Sequence, residues 1–85
     1  MDTGLNSEVR IRIRLHGHLW RYPGKAETWV ELPWQQGKTL AQILEKLRVP
    51  GEQVMLALAN GKPFPLSGCP QKGDIIELLP VIDGG

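Results

Sequence analysis

Gly84 and Gly85 close the sequence after Pro80-Val81-Ile82-Asp83, and two residues without side chains beside an α-carboxylate suit acyl chemistry on the main chain itself. Glycine has no Cβ, so such an end can thread a narrow channel and present its carboxylate to another protein's catalytic site. A carboxylate is a poor acyl electrophile. Exchanging one of its oxygens requires a good leaving group, so the terminus would have to enter a nucleotide-using site. From Pro80 to Gly85 the chain extends at most ~20 Å, enough to cross an active-site wall. Pro80 has no N–H to give to a strand ladder and is expected to release the tail from the sheet. Asp83 adds a charge that a partner's cation could meet. A frayed end is the ordinary meaning of a terminal glycine pair, so its weight depends on what precedes it.

Other residues with chemical potential count for less. His16 and His18 stand two apart, which on a strand points both to one side, but no carboxylate or cysteine in the same segment completes a metal set. Both are expected at the surface, and no metal is expected. Cys69 is the only cysteine, which excludes an internal disulfide and a multi-cysteine zinc site and fits a reducing, cytoplasmic setting. A buried or inert thiol is the expected reading. Arg10, Arg12 and Arg14 form a basic row that could touch phosphates, yet no aromatic residue interleaves them on that strand. A solvated face partly paired with Glu31 or Glu77 is expected instead. Ten Lys and Arg against nine Asp and Glu leave the chain near neutral, so no overall field draws it to nucleic acid or membrane. Neither a secretory pattern nor an apolar run of membrane-spanning length appears, so a soluble chain is expected. There is also no glycine-rich phosphate loop and no serine–histidine pair. The chain would supply a carried group, and the catalytic residues would belong to a partner.

The elements that would position such a tail follow from periodicity. Met1 to Ser7 is polar and expected to be disordered. Glu8 to Leu15 alternates strictly, with Val9, Ile11, Ile13 and Leu15 facing a core and the arginines facing away. His16 to Glu27, with Gly17, Pro23 and Gly24, reads as a connection with a short helical turn around Leu19 to Tyr22. Trp20, Tyr22 and Trp34 are expected to pack that connection onto the domain. Thr28 to Leu32 resumes a strand that Pro33 ends. Thr39 and Gln42 form a capping-box pair ahead of Leu40, Ile43, Leu44 and Leu47, whose spacing makes one apolar helical stripe. Pro50 and Gly51 are expected to stop that helix. Val54 to Ala59 is an apolar run too short for a helix, and Asn60-Gly61 is a strong hairpin signal. Lys62 to Leu66 would be a short return strand. Lys72-Gly73-Asp74 turns the chain into a last strand, Ile75 to Leu79, closed by Pro80. One helix with one apolar stripe covers one face of a small mixed sheet. The arithmetic favours an α+β, β-grasp-like roll: a mixed sheet of four to five strands with one main helix, spanning residues 8–80 and followed by a flexible tail at 81–85. By alternation Trp29, Ile75 and Leu79 share the outward face, where gathered apolar groups mark either a docking surface or a place over which the sheet edge or the His16–Glu27 connection folds.

Ala59-Asn60-Gly61-Lys62-Pro63, then Lys72-Gly73-Asp74-Ile75-Ile76-Glu77-Leu78-Leu79-Pro80-Val81, then Gly84-Gly85, resemble the ubiquitin-like sulfur carriers. These are the small subunit of molybdopterin synthase and the thiamine-pathway sulfur carrier. The likeness runs from Glu8 to Gly85 in element order, with its specific part in the last third. The long connection from His16 to Glu27 looks more like the synthase subunit than the shorter thiamine carrier, but it lacks the alanine- and leucine-rich helix common there. The resemblance implies that a ubiquitin-activating-like enzyme adenylates Gly85 with ATP, that the product becomes a thiocarboxylate, and that an acceptor takes the sulfur. That acceptor would be the large molybdopterin synthase subunit or another sulfur acceptor, with no cofactor bound by the carrier. On the resemblance, Gly84 permits passage, while Leu79, Pro80, Val81, Ile82 and Asp83 grip the partner, aided by Ile75 and Trp29. The thiamine pathway, a ubiquitin-like protein modifier and a non-carrier interaction domain are the alternatives.

Overall fold

A computed structural model describes residues 10–23 and 28–82. The alternation of the first strand is realised residue by residue: in β1 (Arg10–Leu15) Ile11, Ile13 and Leu15 are buried and the three arginines are exposed. β1 lies inside the sheet. It pairs antiparallel with β2 (Trp29–Pro33), with Arg14 opposite Trp29 and Arg12 opposite Glu31. On its other side it pairs parallel with β5 (Ile75–Pro80), with Arg12 opposite Ile75 and Leu15 opposite Leu78. β3 (Val54–Ala59) runs antiparallel to β5, and β4 (Lys62–Pro63) closes the order β2-β1-β5-β3-β4. This is the expected α+β, β-grasp arrangement, with a mixed sheet and one main helix on one face. A 3-10 turn at Leu19–Arg21 stands within the connection after β1, and it sinks Leu19 fully into the core.

The helix α1 (Leu40–Leu47) begins where local chemistry dictates. The Gln42 N–H donates to Thr39 Oγ1 at 3.2 Å, and the Thr39 N–H donates to Gln42 Oε1 at 2.9 Å, which completes the capping box. The next orphan donors of the first turn are met from outside the helix: Leu40 N–H reaches Gly68 O and Ala41 N–H reaches Leu66 O, both at 2.8 Å. The irregular segment after β4 therefore fastens the helix start. Leu40, Ile43, Leu44 and Leu47 are buried against Ile11, Ile13, Ile76 and Leu78 of the sheet, each contributing roughly 1.5–3 kcal/mol by leaving water.

Three local expectations change. The helix ends before Pro50 and Gly51, because Arg48 adopts a left-handed conformation (φ 63) and its N–H bonds to the carbonyls of Leu44 and Glu45. The return strand β4 has only two residues, since Pro63 and Pro65 lack ladder donors, although Phe64 N–H still reaches Ala57 O at 2.8 Å. Trp20 is exposed and does not pack the connection down, whereas Tyr22 and Trp34 do pack against the core. The Asn60-Gly61 hairpin is as expected, with both residues at positive φ (53 and 86) as a type I′ turn demands.

Candidate functional site: the end of β5 and the outer face of the sheet

The last described strand is the middle strand of the sheet. Its inward residues Ile76 and Leu78 are fully buried, and this anchors the segment that leads to the tail. Pro80 lies half-buried against Gly17, where a Cβ would come within 2.7 Å of the proline ring; Gly17 also holds φ +61. Release comes one residue later than Pro80: Val81 N–H still donates to Gln53 O at 2.9 Å. Beyond that bond Ile82 is 76% exposed. Asp83, Gly84 and Gly85 lie outside the described residues, as do Val9 and the expected disordered segment 1–7.

Trp29, Ile75 and Leu79 do share the outward face, but they do not form one apolar patch. The register across the sheet reads Trp29, Arg14, Glu77, Leu58 in one row and Glu31, Arg12, Ile75 in the next. Charged side chains therefore separate Trp29 from Leu79. The Trp29 ring is flanked by cations while the residue stays 39% exposed: the guanidinium carbons of Arg12 and Arg14 lie 5.4 and 5.6 Å from its centroid. Such stacking is worth about 0.5–1 kcal/mol at an exposed site. Arg10 and Arg12 approach the Glu31 carboxylate at 3.3 and 3.6 Å. Glu77, the other expected arginine partner, instead meets His16 Nε2 at 2.9 Å. His16 therefore sits on this face just past the end of β1, while His18 has turned away with the 3-10 turn and meets the Tyr22 ring edge-on. Among the described residues no group of three His, Cys, Asp or Glu side chains could hold a metal ion. Cys69 is free and exposed, not buried as one of its expected readings had it, because it sits in the irregular segment between β4 and β5.

The apolar part of the outer face gathers around Leu79 instead. Leu56 lies opposite Leu79 across the β3–β5 ladder, and Leu58 lies opposite Glu77. Leu56 and Met55 are exposed, and so are Val81 and Ile82 just past Leu79. Sequence reasoning did not single out Leu56 or Leu58, because Val54 to Ala59 is apolar throughout and offers no period-two signal. An irregularity between Val54 and Leu56 shifts the register there and leaves both Met55 and Leu56 exposed. The arrangement thus joins an anchored central strand, an apolar ridge beside its end and an exposed exit.

The profile of the Mut7-C ubiquitin family matches residues 7–84. No curated protein matches the chain. Among solved structures, small archaeal modifier protein 1 of Haloferax volcanii superposes with a TM-score of 0.67 at 17% identity, covering 87% of this chain and 99% of that one. A second structure of the same modifier, SAMP1, gives 0.65 at 20% identity, covering 89% and 99%. A Pyrococcus furiosus chain provisionally assigned as molybdopterin converting factor subunit 1 gives 0.65 at 15% identity, covering 87% and 99%. At these identities the likeness is one of fold.

Proposed function

This chain belongs to the Mut7-C ubiquitin family, and from that footing we propose that it is a sulfur carrier whose Gly85 is adenylated and converted to a thiocarboxylate. The observation that supports the reading best is the exit of the chain from β5. A central strand buried on its inner side holds the base, Val81 makes the last described backbone bond, and Ile82 stands in solvent. A tail that follows such an anchor can be drawn into a partner without disturbing the core. Gly84 offers no side chain to the channel walls, and the apolar ridge of Leu56, Leu79, Val81 and Ile82 gives the partner something to hold. Trp29 and Ile75 would contribute at the margins of that contact.

In the proposed reaction the Gly85 carboxylate attacks the α-phosphorus of ATP in an adenylating enzyme of the ubiquitin-activating kind. Pyrophosphate departs and an acyl-adenylate forms. Sulfide, or a persulfide whose S–S bond a thiol then reduces, displaces AMP to leave a thiocarboxylate; when its sulfur passes to an acceptor, water supplies the oxygen that restores the Gly85 carboxylate. A pterin precursor held by a large molybdopterin synthase subunit is the favoured acceptor, given the likeness in fold to the Pyrococcus subunit. Likeness in fold to the Haloferax modifier supports a second reading, in which the activated carbonyl is joined to a lysine. This chain itself supplies the carbonyl and its presentation, and no catalytic side chain.

Intact-mass spectrometry tests the proposal. The native protein is first weighed to establish that Gly85 is its last residue. It is then incubated with the activating enzyme, ATP and a sulfur donor. A gain equal to replacing one oxygen by one sulfur, lost when Gly85 is deleted, supports the carrier. Adducts to lysine-bearing proteins would replace it with the modifier reading, and an unchanged mass would overturn both.

A further inference from the structure

The two edges of the sheet are treated differently. At β4 the edge is only two residues long and holds Pro63, with Pro65 just beyond, so it offers little to another strand. The β2 edge runs for five residues, with its one proline at the end. The phase of its backbone follows from one bond: Leu15 N–H donates to Thr28 O at 2.6 Å. Bonded and non-bonded pairs alternate along an antiparallel ladder, so Val30 and Leu32 exchange bonds with β1, and the N–H and C=O of Trp29 and Glu31 point out of the sheet.

Among the described residues, an open groove runs beside that edge on the helix side. Its walls include Pro23, Val30, Leu32 and Leu47, and Lys46 and Arg48 stand at its rim. Val30 and Leu32 are half-buried, while Lys46 and Arg48 are exposed. Glu31 also borders the groove, but its carboxylate is turned to Arg10 and Arg12 on the outer face. An apolar floor, outward main-chain groups and a rim of two cations specify one kind of occupant.

We propose that the groove between β2 and α1 takes an extended peptide as a sixth strand, one carrying two apolar residues either side of a central residue and an acidic stretch next to them. Main-chain bonds to Trp29 and Glu31 would fix the strand, as in other cases of strand addition. The central residue of the peptide would face outward beside Glu31. Its two apolar neighbours would fall over Val30 and Leu32, and the acidic stretch would lie along Lys46 and Arg48. The tail and the apolar ridge around Leu79 take no part, although Trp29, whose main chain the added strand would use, also borders the contact proposed for the partner of the tail.

The probe is a synthetic peptide, Asp-Glu-Asp-Val-Ile-Val-Asp, titrated into the isotope-labelled full chain and followed by amide NMR. Shifts confined to residues 28–33 and 46–48 are expected, with the Glu31 amide slowed in solvent exchange. Glu31→Pro removes one outward donor that the β1 ladder does not use, and it should weaken binding about three- to tenfold, the worth of one hydrogen bond. Lys46→Glu with Arg48→Glu should weaken it by about tenfold or more through charge repulsion. Both variants should keep the dispersed spectrum of the folded chain. Shifts centred on Leu56 and Leu79, equal binding by a peptide with its valines replaced by serine, or concentration-dependent shifts of the β2 amides without peptide, which would mean a second copy in the groove, would each overturn the proposal.

Discussion

Gly17 is the residue on which the base of the tail most directly depends. It combines a left-handed backbone with a close approach of the Pro80 ring, and alanine there would meet both obstacles. Gly17→Ala should cost about 1–2 kcal/mol from the left-handed conformation alone, and more from the displaced proline, read as a lower urea midpoint. Asn60 plays a comparable part at the opposite end of β5. Its Nδ2 donates to Asp74 Oδ1 at 2.9 Å, and its Oδ1 accepts from Ile75 N–H at 3.0 Å, so the hairpin turn clamps the start of the last strand. Asn60→Ala loses both bonds and a residue tolerant of positive φ, and should destabilise by about 1–3 kcal/mol in the same measurement. The type of turn at Asn60-Gly61 was legible in the two letters. Its bonds to Asp74 and Ile75 were not, because they join residues far apart in the chain.

Among the elements, α1 separates what a sequence displays from what it hides. Thr39 and Gln42 cap each other over three residues, and Leu40, Ile43, Leu44 and Leu47 repeat with the helical period, so the start and the buried face could be read directly. The end could not. Arg48 closes the helix in the left-handed region, a conformation that arginine does not advertise, whereas Pro50 and Gly51 are conspicuous breakers that arrive after the helix has stopped. Arg48→Gly should therefore stabilise the domain by about 0.5–1 kcal/mol by removing the Cβ penalty, seen as a higher thermal midpoint. β1 was equally legible because it keeps charge and hydrophobe in strict alternation. β3 was legible in its bounds, Val54–Ala59, but not in its facing, since both of its faces are apolar and its register shifts near Leu56. The part of the candidate site that escaped sequence reading, Leu56 and Leu58 beside Leu79, lies on that strand. The division of the outer face by Arg12, Arg14 and Glu77 emerged only once the strand order had set β1 between β2 and β5.

At the scale of the molecule, one core serves every element. Ile11, Ile13, Leu19, Leu40, Ile76 and Leu78 are all essentially without solvent contact, and the described residues form a single buried cluster with no second one to compensate for damage. Leu78→Ala should cost about 2–5 kcal/mol, a large share of the roughly 5–15 kcal/mol that holds a typical domain. Calorimetry should find a single transition moved well downward, with no separate unfolding of the helix. Deleting Gly85, by contrast, is expected to leave that transition where it was while removing the acyl chemistry proposed for it. The parallel pairing of β1 with β5 has a further effect during synthesis. The first described strand cannot find its central neighbour until the last has left the ribosome, and in the interval one edge of β1 must wait unpaired. Such long-range closure slows folding and makes it conditional on a complete message: a polypeptide cut short before β5 would have no sheet centre, and proteases rather than partner enzymes would be its fate.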